Sequence, residues 1–215
     1  MSAPSIAVIV VHFGPEDLCL GCLESVRRSA GVRVSPVIVD HNPTPSAAVR
    51  DFALANEGTY VSKPENPGFA AGANAGIREA LREGRPASLV IMNPDVRLEP
   101  ACLRTLHDVL AASPDVALAG PGLLWEGRPE RWWNVGSEVL WPSGKPRSLL
   151  HGEPRAGTGL DARDTGFVCG SVLALRPDVV DRIGFLPEGY FLYFEDADLS
   201  FVARSAGLRT VVCPG

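Results

Sequence analysis

Short β-branched apolar runs alternate with amphipathic segments of helical period along the first half of this chain, and that alternation leaves few folds open to it. Ser5–Phe13 is such a run, and the segment after it carries Pro15 in its first turn, Glu16 and Asp17 near its start, Arg27 and Arg28 near its end and Gly31 beyond. Charges and breakers in that order are what helix termini and the helix dipole favour. Leu18, Cys19, Cys22, Leu23 and Val26 recur at helical spacing and make a face that can cover a sheet. The same reading gives strands at Val34–Val39, Thr59–Ser62, Ala87–Met92 and Val116–Ala119, and helices at about Pro45–Asn56, Ala70–Arg82 and Glu99–Ala112. Strands separated by helices instead of tight turns pair in parallel. The expected fold is therefore α/β: one domain with a mostly parallel central sheet flanked by helices, its first half Rossmann-like.

The alternation stops at Gly120. From there to Thr165 the chain is rich in Gly, Pro and Arg and holds all four tryptophans, Trp125, Trp132, Trp133 and Trp141. An excursion of that length reads either as a binding loop or as a small satellite core under the tryptophans. Regular structure is expected again as a strand at Gly166–Leu175, a short helix at Pro177–Ile183, an aromatic turn, a helix at Asp196–Ala206 capped by Gly207, and a strand at Leu208–Cys213.

Charge and cysteine usage narrow the function classes. A net charge of -5 on 215 residues lacks the basic face that non-specific nucleic-acid binding requires. If phosphate is bound, a cation is expected to help. No secretory leader opens the sequence and no apolar run approaches the roughly 20 residues that span a bilayer, so a cytoplasmic protein is expected. Five cysteines without an export signal read as reduced thiols. Cys19-Leu20-Gly21-Cys22 has metal-site spacing, but no second pair accompanies it and both thiols fall on the apolar helix face, which favours core packing.

Ligands of open α/β sheets bind beyond the carboxyl ends of the strands, so the residues just after strands carry the functional reading. Asp40, with Asn42, follows the second strand and suits a nucleobase or ribose, although Asp-His-Asn-Pro is also good turn chemistry. Asn66-Pro67-Gly68-Phe69-Ala70-Ala71-Gly72-Ala73-Asn74-Ala75-Gly76 enters a helix and could let backbone approach a diphosphate; small residues at 68, 72 and 76 equally suit close helix–sheet packing. Asn93-Pro94-Asp95 places a carboxylate at a strand end, where a hard divalent cation would complete its ligands with phosphate and water. Glu195-Asp196-Ala197-Asp198 opens a helix behind an aromatic run, with more acid than capping needs, and a partly desolvated member of that set suits a general base.

Taken in order, Val8-Ile9-Val10-Val11-His12-Phe13, Val39-Asp40-His41-Asn42, the glycine-rich 66–76 segment, Asn93-Pro94-Asp95 and Phe194-Glu195-Asp196-Ala197-Asp198-Leu199 resemble the family 2 glycosyltransferases over nearly the whole chain. Within them the pattern is most similar to the rhamnosyltransferase and galactofuranosyltransferase-like branch. The resemblance implies an A-type glycosyltransferase fold, a nucleotide-diphosphate sugar donor, an acceptor hydroxyl and inversion at the transferred carbon. It implies that residues 1–119 form the nucleotide-sugar half and 120–215 the acceptor and catalytic half. It assigns Asp196, with Glu195, to catalysis; His12, Asp40, Asn42, Gly72, Asn74, Asn93 and Asp95 to the donor; and Asp95 to a Mg2+ or Mn2+ ion.

Two departures accompany the resemblance. Asn93 replaces the first acid of the family's D-x-D motif. The metal-binding His that family members often carry beyond the final strand is absent: none of His12, His41, His107 or His151 holds that place, and the C-terminus reads as truncated. Peripheral contact with the inner face of a membrane is compatible with this reading. The alternatives are a catalytically impaired nucleotide-sugar or glycan-binding module, which would bind donor without turnover, and a sugar nucleotidyltransferase. The latter usually needs a basic glycine-rich loop after the first strand, where His12-Phe13-Gly14-Pro15-Glu16-Asp17 offers acids.

Overall fold

The computed structural model describes residues 3–155 and 161–214. In chain order the elements are β1 (Ser5–His12), α1 (Glu16–Arg27), β2 (Arg33–Asp40), α2 (Ala47–Ala55), β3 (Thr59–Ser62), α3 (Phe69–Glu83), β4 (Ser88–Met92), α4 (Cys102–Ala112) and β5 (Val116–Pro121). There follow β6 (Leu123–Trp125), β7 (Arg128–Asn134), β8 (Ser137–Leu140), β9 (Lys145–Ser148), β10 (Arg163–Asp164), β11 (Val172–Leu175), α5 (Pro177–Ile183), α6 (Glu195–Ser205) and β12 (Arg209–Cys213). Eight strands form one sheet in the order β10-β12-β5-β11-β4-β1-β2-β3.

Strand polarity follows from the connections. β1 pairs in parallel with β2 and β4, and β2 with β3, because each link crosses over through a helix. β11 enters antiparallel between β4 and β5, which makes the sheet mixed at its centre. Alternation along β1 sends Ile6, Val8 and Val10 to the face covered by α1, α2 and α4, and Ala7, Ile9 and Val11 to the face packed by α3, α5 and α6. Both faces of the sheet are therefore buried, as the near-continuous apolar runs of β1 and β4 require. Chain order turns around between β1 and β4, and this switch point puts the carboxyl ends of β1, β2 and β4 side by side.

Two expectations change. The strand expected at Gly166–Leu175 is confined to Val172–Leu175, since residues 166–171 cross from the sheet edge to its centre. Phe167 bridges to Ser137 on the way. The excursion from Gly120 is less irregular than its composition suggests: β6 pairs with β7 and β8 with β9, two antiparallel hairpins outside the main sheet. Residues 156–160 of that stretch, and residue 215, lie outside the described residues. The tryptophans divide between the two readings. Trp132 is buried with Val135 and Val212 in a satellite core, Trp133 faces a cleft, and Trp141 is 77% exposed.

Candidate active site

At the carboxyl end of the first two strands the polar groups satisfy one another. Asp40 is fully buried; its Oδ1 accepts from the backbone and side-chain nitrogens of Asn42, both at 2.9 Å, and its Oδ2 from Ser46 N at 3.0 Å and from the Tyr60 hydroxyl. Burial alone would raise its pKa, but these bonds outweigh burial and hold it below the usual carboxylate range. Asn42 Oδ1 accepts from Gly14 N at 2.9 Å, joining the loops after β1 and β2. Asp40 and Asn42 thus organise the turn chemistry that their sequence also suggested, and a nucleotide would have to exchange one of these bonds to reach Asp40. His12, opposite Asp40 in register, differs: it is fully buried and neither ring nitrogen has a partner among the described residues. Burial lowers its pKa against the pull of Asp40 and Glu16, so the ring is neutral, with one donor and one acceptor unused.

The glycine-rich segment packs closely and its polar groups serve the fold. A side chain at Gly72 would collide with His41 Nε2 and Val11, so α3 lies directly on the strands beneath it. Asn74 is bound to the segment between α5 and α6. Its amide is fully buried and donates to Leu186 O and Glu188 Oε1, each at 2.8 Å, while its Oδ1 accepts from Leu186 N at 3.0 Å. Both N–H groups and one oxygen lone pair of that amide are spent on a segment more than a hundred residues away in sequence.

A cleft of about 400 Å3 brings together Asn93, Glu195 and Asp196, with Phe69, Trp133 and Gly170 among its walls. Asn93 N donates to Ser171 O at 3.1 Å, tying the end of β4 to the loop before β11. Asp196 is half-buried in the first turn of α6; its Oδ2 accepts from Gly170 N and its Oδ1 from Ala197 N, each at 2.7 Å. Burial raises its pKa more than those N–H groups lower it. Glu195 is buried, with Oε2 unpartnered, and burial again drives its pKa up, aided by the charge of Asp196 and opposed by its own backbone N–H. Two adjacent carboxyls in one cleft with elevated proton affinity are candidates for proton transfer. The turn that delivers them is strained: Tyr193 and Phe194 have φ of 70° and 71°, a left-handed conformation that costs about 1–3 kcal/mol per non-glycine residue and concentrates at functional sites.

Asp95 stands on the exposed turn just past Asn93, and its carboxylate takes no hydrogen bond or ion pair from the described residues. Among the described residues no group of three or more His, Cys, Asp or Glu side chains could hold a metal ion. A free carboxylate without companions fits a hard cation only in the mode where substrate phosphates and water supply the other ligands. Sequence reasoning missed the Cys169-Gly170-Ser171 loop. Its signal was a glycine interrupting an apolar β-branched run, which marks a close backbone approach.

Comparison with known proteins adds four findings. A family model described as glycosyltransferase like family 2 matches residues 3–215. The chain is 25% identical over 209 residues to the low-salt glycan biosynthesis hexosyltransferase Agl10 of Haloferax volcanii, covering 97% of this chain and 64% of that protein. It is 23% identical over 231 residues to the N-acetylglucosaminyl-diphospho-decaprenol L-rhamnosyltransferase of Mycobacterium tuberculosis, covering 97% of this chain and 73% of that one. The mannosyltransferase PcManGT of Pyrobaculum calidifontis, solved with GDP-Man and Mn2+, superposes with a TM-score of 0.69 at 20% identity, over 99% of this chain and 57% of that chain. The shared fold is the A type of glycosyltransferases.

Proposed function

Because the chain belongs to the glycosyltransferase-like family 2, in its rhamnosyltransferase-like branch, we propose that it moves a hexose-type sugar from a nucleotide-diphosphate sugar to an acceptor hydroxyl with inversion. The observation that carries this reading is the Asp196 carboxylate, fixed by Gly170 N and Ala197 N in a cleft at the carboxyl edge of the sheet, with its proton affinity raised by burial. A general base must be ionised, oriented and basic enough to accept a proton near neutral pH, and burial against fixed N–H donors meets those needs together.

In the proposed reaction Asp196 takes the proton of the acceptor hydroxyl as that oxygen's electron pair bonds to the anomeric carbon. The bond from that carbon to the diphosphate oxygen breaks on the opposite face, and its electrons leave with the nucleotide diphosphate. Glu195 supports the anionic partner beside it. Asn93 and Asp95 border the diphosphate, and Asp95 would hold a Mg2+ or Mn2+ ion jointly with it. When bound, that ion neutralises charge on the leaving diphosphate. The nucleoside end falls to His12, whose unsatisfied ring nitrogens need a partner, with Asp40 and Asn42 shaping the adjoining turn. The names of the two relatives support a hexosyl or deoxyhexosyl donor. Since the chain spans only 64% of the hexosyltransferase, the acceptor and any contact with a membrane surface belong to the proposal; no helix among the described residues is long and apolar enough to cross a membrane.

Calorimetry with a panel of nucleotide diphosphates and their sugars, with and without Mn2+, tests the reading. Saturable binding of one nucleotide class, tightened by the cation, is expected. Failure of every member to bind would overturn it.

A further inference from the structure

The segment between α5 and α6 is gripped by α3 at two places. At one end Asn74 exchanges hydrogen bonds with both the N–H and the C=O of Leu186 and donates to Glu188, while Arg78 lies over the Phe185 ring at 4.5 Å and pairs with Glu188 at 3.6 Å. At the other, Phe69 N donates to Phe191 O at 3.0 Å, and Gly68, with φ of 102°, leaves no room for a side chain: a Cβ there would sit 2.5 Å from that carbonyl. Beyond these anchors the side chains of Phe191, Leu192, Tyr193 and Phe194 are exposed. The left-handed pair Tyr193-Phe194 leads directly into Glu195 and Asp196. An exposed segment keeps two strained residues only when its surroundings hold them there.

We propose that Asn74 is a positioning residue: through Leu186 and Glu188 it sets the path of the aromatic turn, and so the place of the Glu195–Asp196 pair in the cleft. The inference rests on the glycosyl-transfer reading for its catalytic consequence, whereas the mechanical part stands on the contacts themselves. It predicts a division of labour within α3. The helix body packs on the strands through Gly72, and its buried amide reaches away from them to the turn that carries the base. Loosening that amide should leave the strand-end donor site intact and displace the base.

The test compares wild type with Asn74→Ala and with Glu188→Ala; the second removes an exposed half of the grip and spares the core. Hydrogen exchange by mass spectrometry should show faster exchange over residues 185–198 in both variants and unchanged exchange in β1, β2 and β4. Transfer kinetics, normalised to the folded fraction titrated with the nucleotide diphosphate selected by the panel, should show kcat lower by about 100-fold for Asn74→Ala, the cost of an ångström-scale misplacement. For Glu188→Ala the loss should be about three- to tenfold, as for one hydrogen bond. Donor KM should stay within about twofold in each, a split that loss of folded protein alone does not produce. Unchanged exchange over 185–198 in both variants would overturn the grip. Faster exchange with unaltered normalised kcat would overturn the catalytic role. A wild type that binds no donor and transfers no sugar would count against the transferase reading instead, and the exchange data would still decide the grip.

Discussion

Gly170 donates its backbone N–H to Asp196 Oδ2 at 2.7 Å, joining the loop before β11 to the first turn of α6. The contact explains why a glycine stands there. A Cβ at position 170 would lie 3.3 Å from both Asp196 Cβ and Oδ2, closer than most real contacts, so the acid would have to give way. Gly170→Ala is expected to leave nucleotide diphosphate binding unchanged and to lower the transfer rate about tenfold or more. Paired calorimetry and initial-rate measurements check this; an unaltered rate would mean that the bond does not locate the carboxylate.

The two elevated carboxyls predict opposite trends for activity and for stability. Transfer requires Asp196 ionised, so the rate should fall as pH drops through its raised pKa, giving an acidic limb above the ordinary carboxylate range. Glu195 also has a folded pKa above its unfolded value, so the native state binds more protons in that window, and its contribution to stability declines as pH rises. Glu195→Gln removes the ionisation. The variant should melt above wild type at pH 7–8, with the difference shrinking as pH falls toward the unfolded carboxylate range near 4. A pH-independent difference in melting temperature would contradict the assignment.

Asp40 carries the reverse sign. Its folded pKa lies below the unfolded value, so its stabilisation is fully present above about pH 4 and is lost as pH falls through the folded value. Tyr60→Phe removes one donor to a buried carboxylate and should cost about 1.5–3 kcal/mol. Asp40→Asn places an amide group among the donors Asn42 N, Ser46 N and Tyr60 and should cost about 2–4 kcal/mol. Denaturant titrations at pH 7 and pH 3 should show both penalties smaller at the lower pH.

Much of the architecture was legible because hydrophobic period is a local signal. Val8, Ile9 and Val10 announce a strand buried on both faces, and Cys19, Cys22, Leu23 and Val26 a helix that covers it; the CxxC thiols sit in that core as expected. Burial pushes the Cys22 thiol up to about 12. The site was legible in part. Strand ends converge by topology, so Asn93, Glu195 and Asp196 could be expected at one edge, and one cleft holds all three. Asn74 was not legible, since its partners Leu186 and Glu188 are brought to it only by the fold. Residues 166–171 read as strand because Phe167 and Val168 are good strand formers; the need to cross from β10 to β11 overrode that propensity.

Replacement of the proposed base is the most direct measurement. Asp196→Asn keeps the size of the side chain and an acceptor for Gly170 N or Ala197 N while removing its capacity to take a proton. Donor binding measured by calorimetry should remain within about twofold of wild type, while the transfer rate should fall by about 100- to 10,000-fold, the range general-base catalysis supplies. Full transfer by the variant with donor binding intact would contradict the assignment of Asp196 as the base.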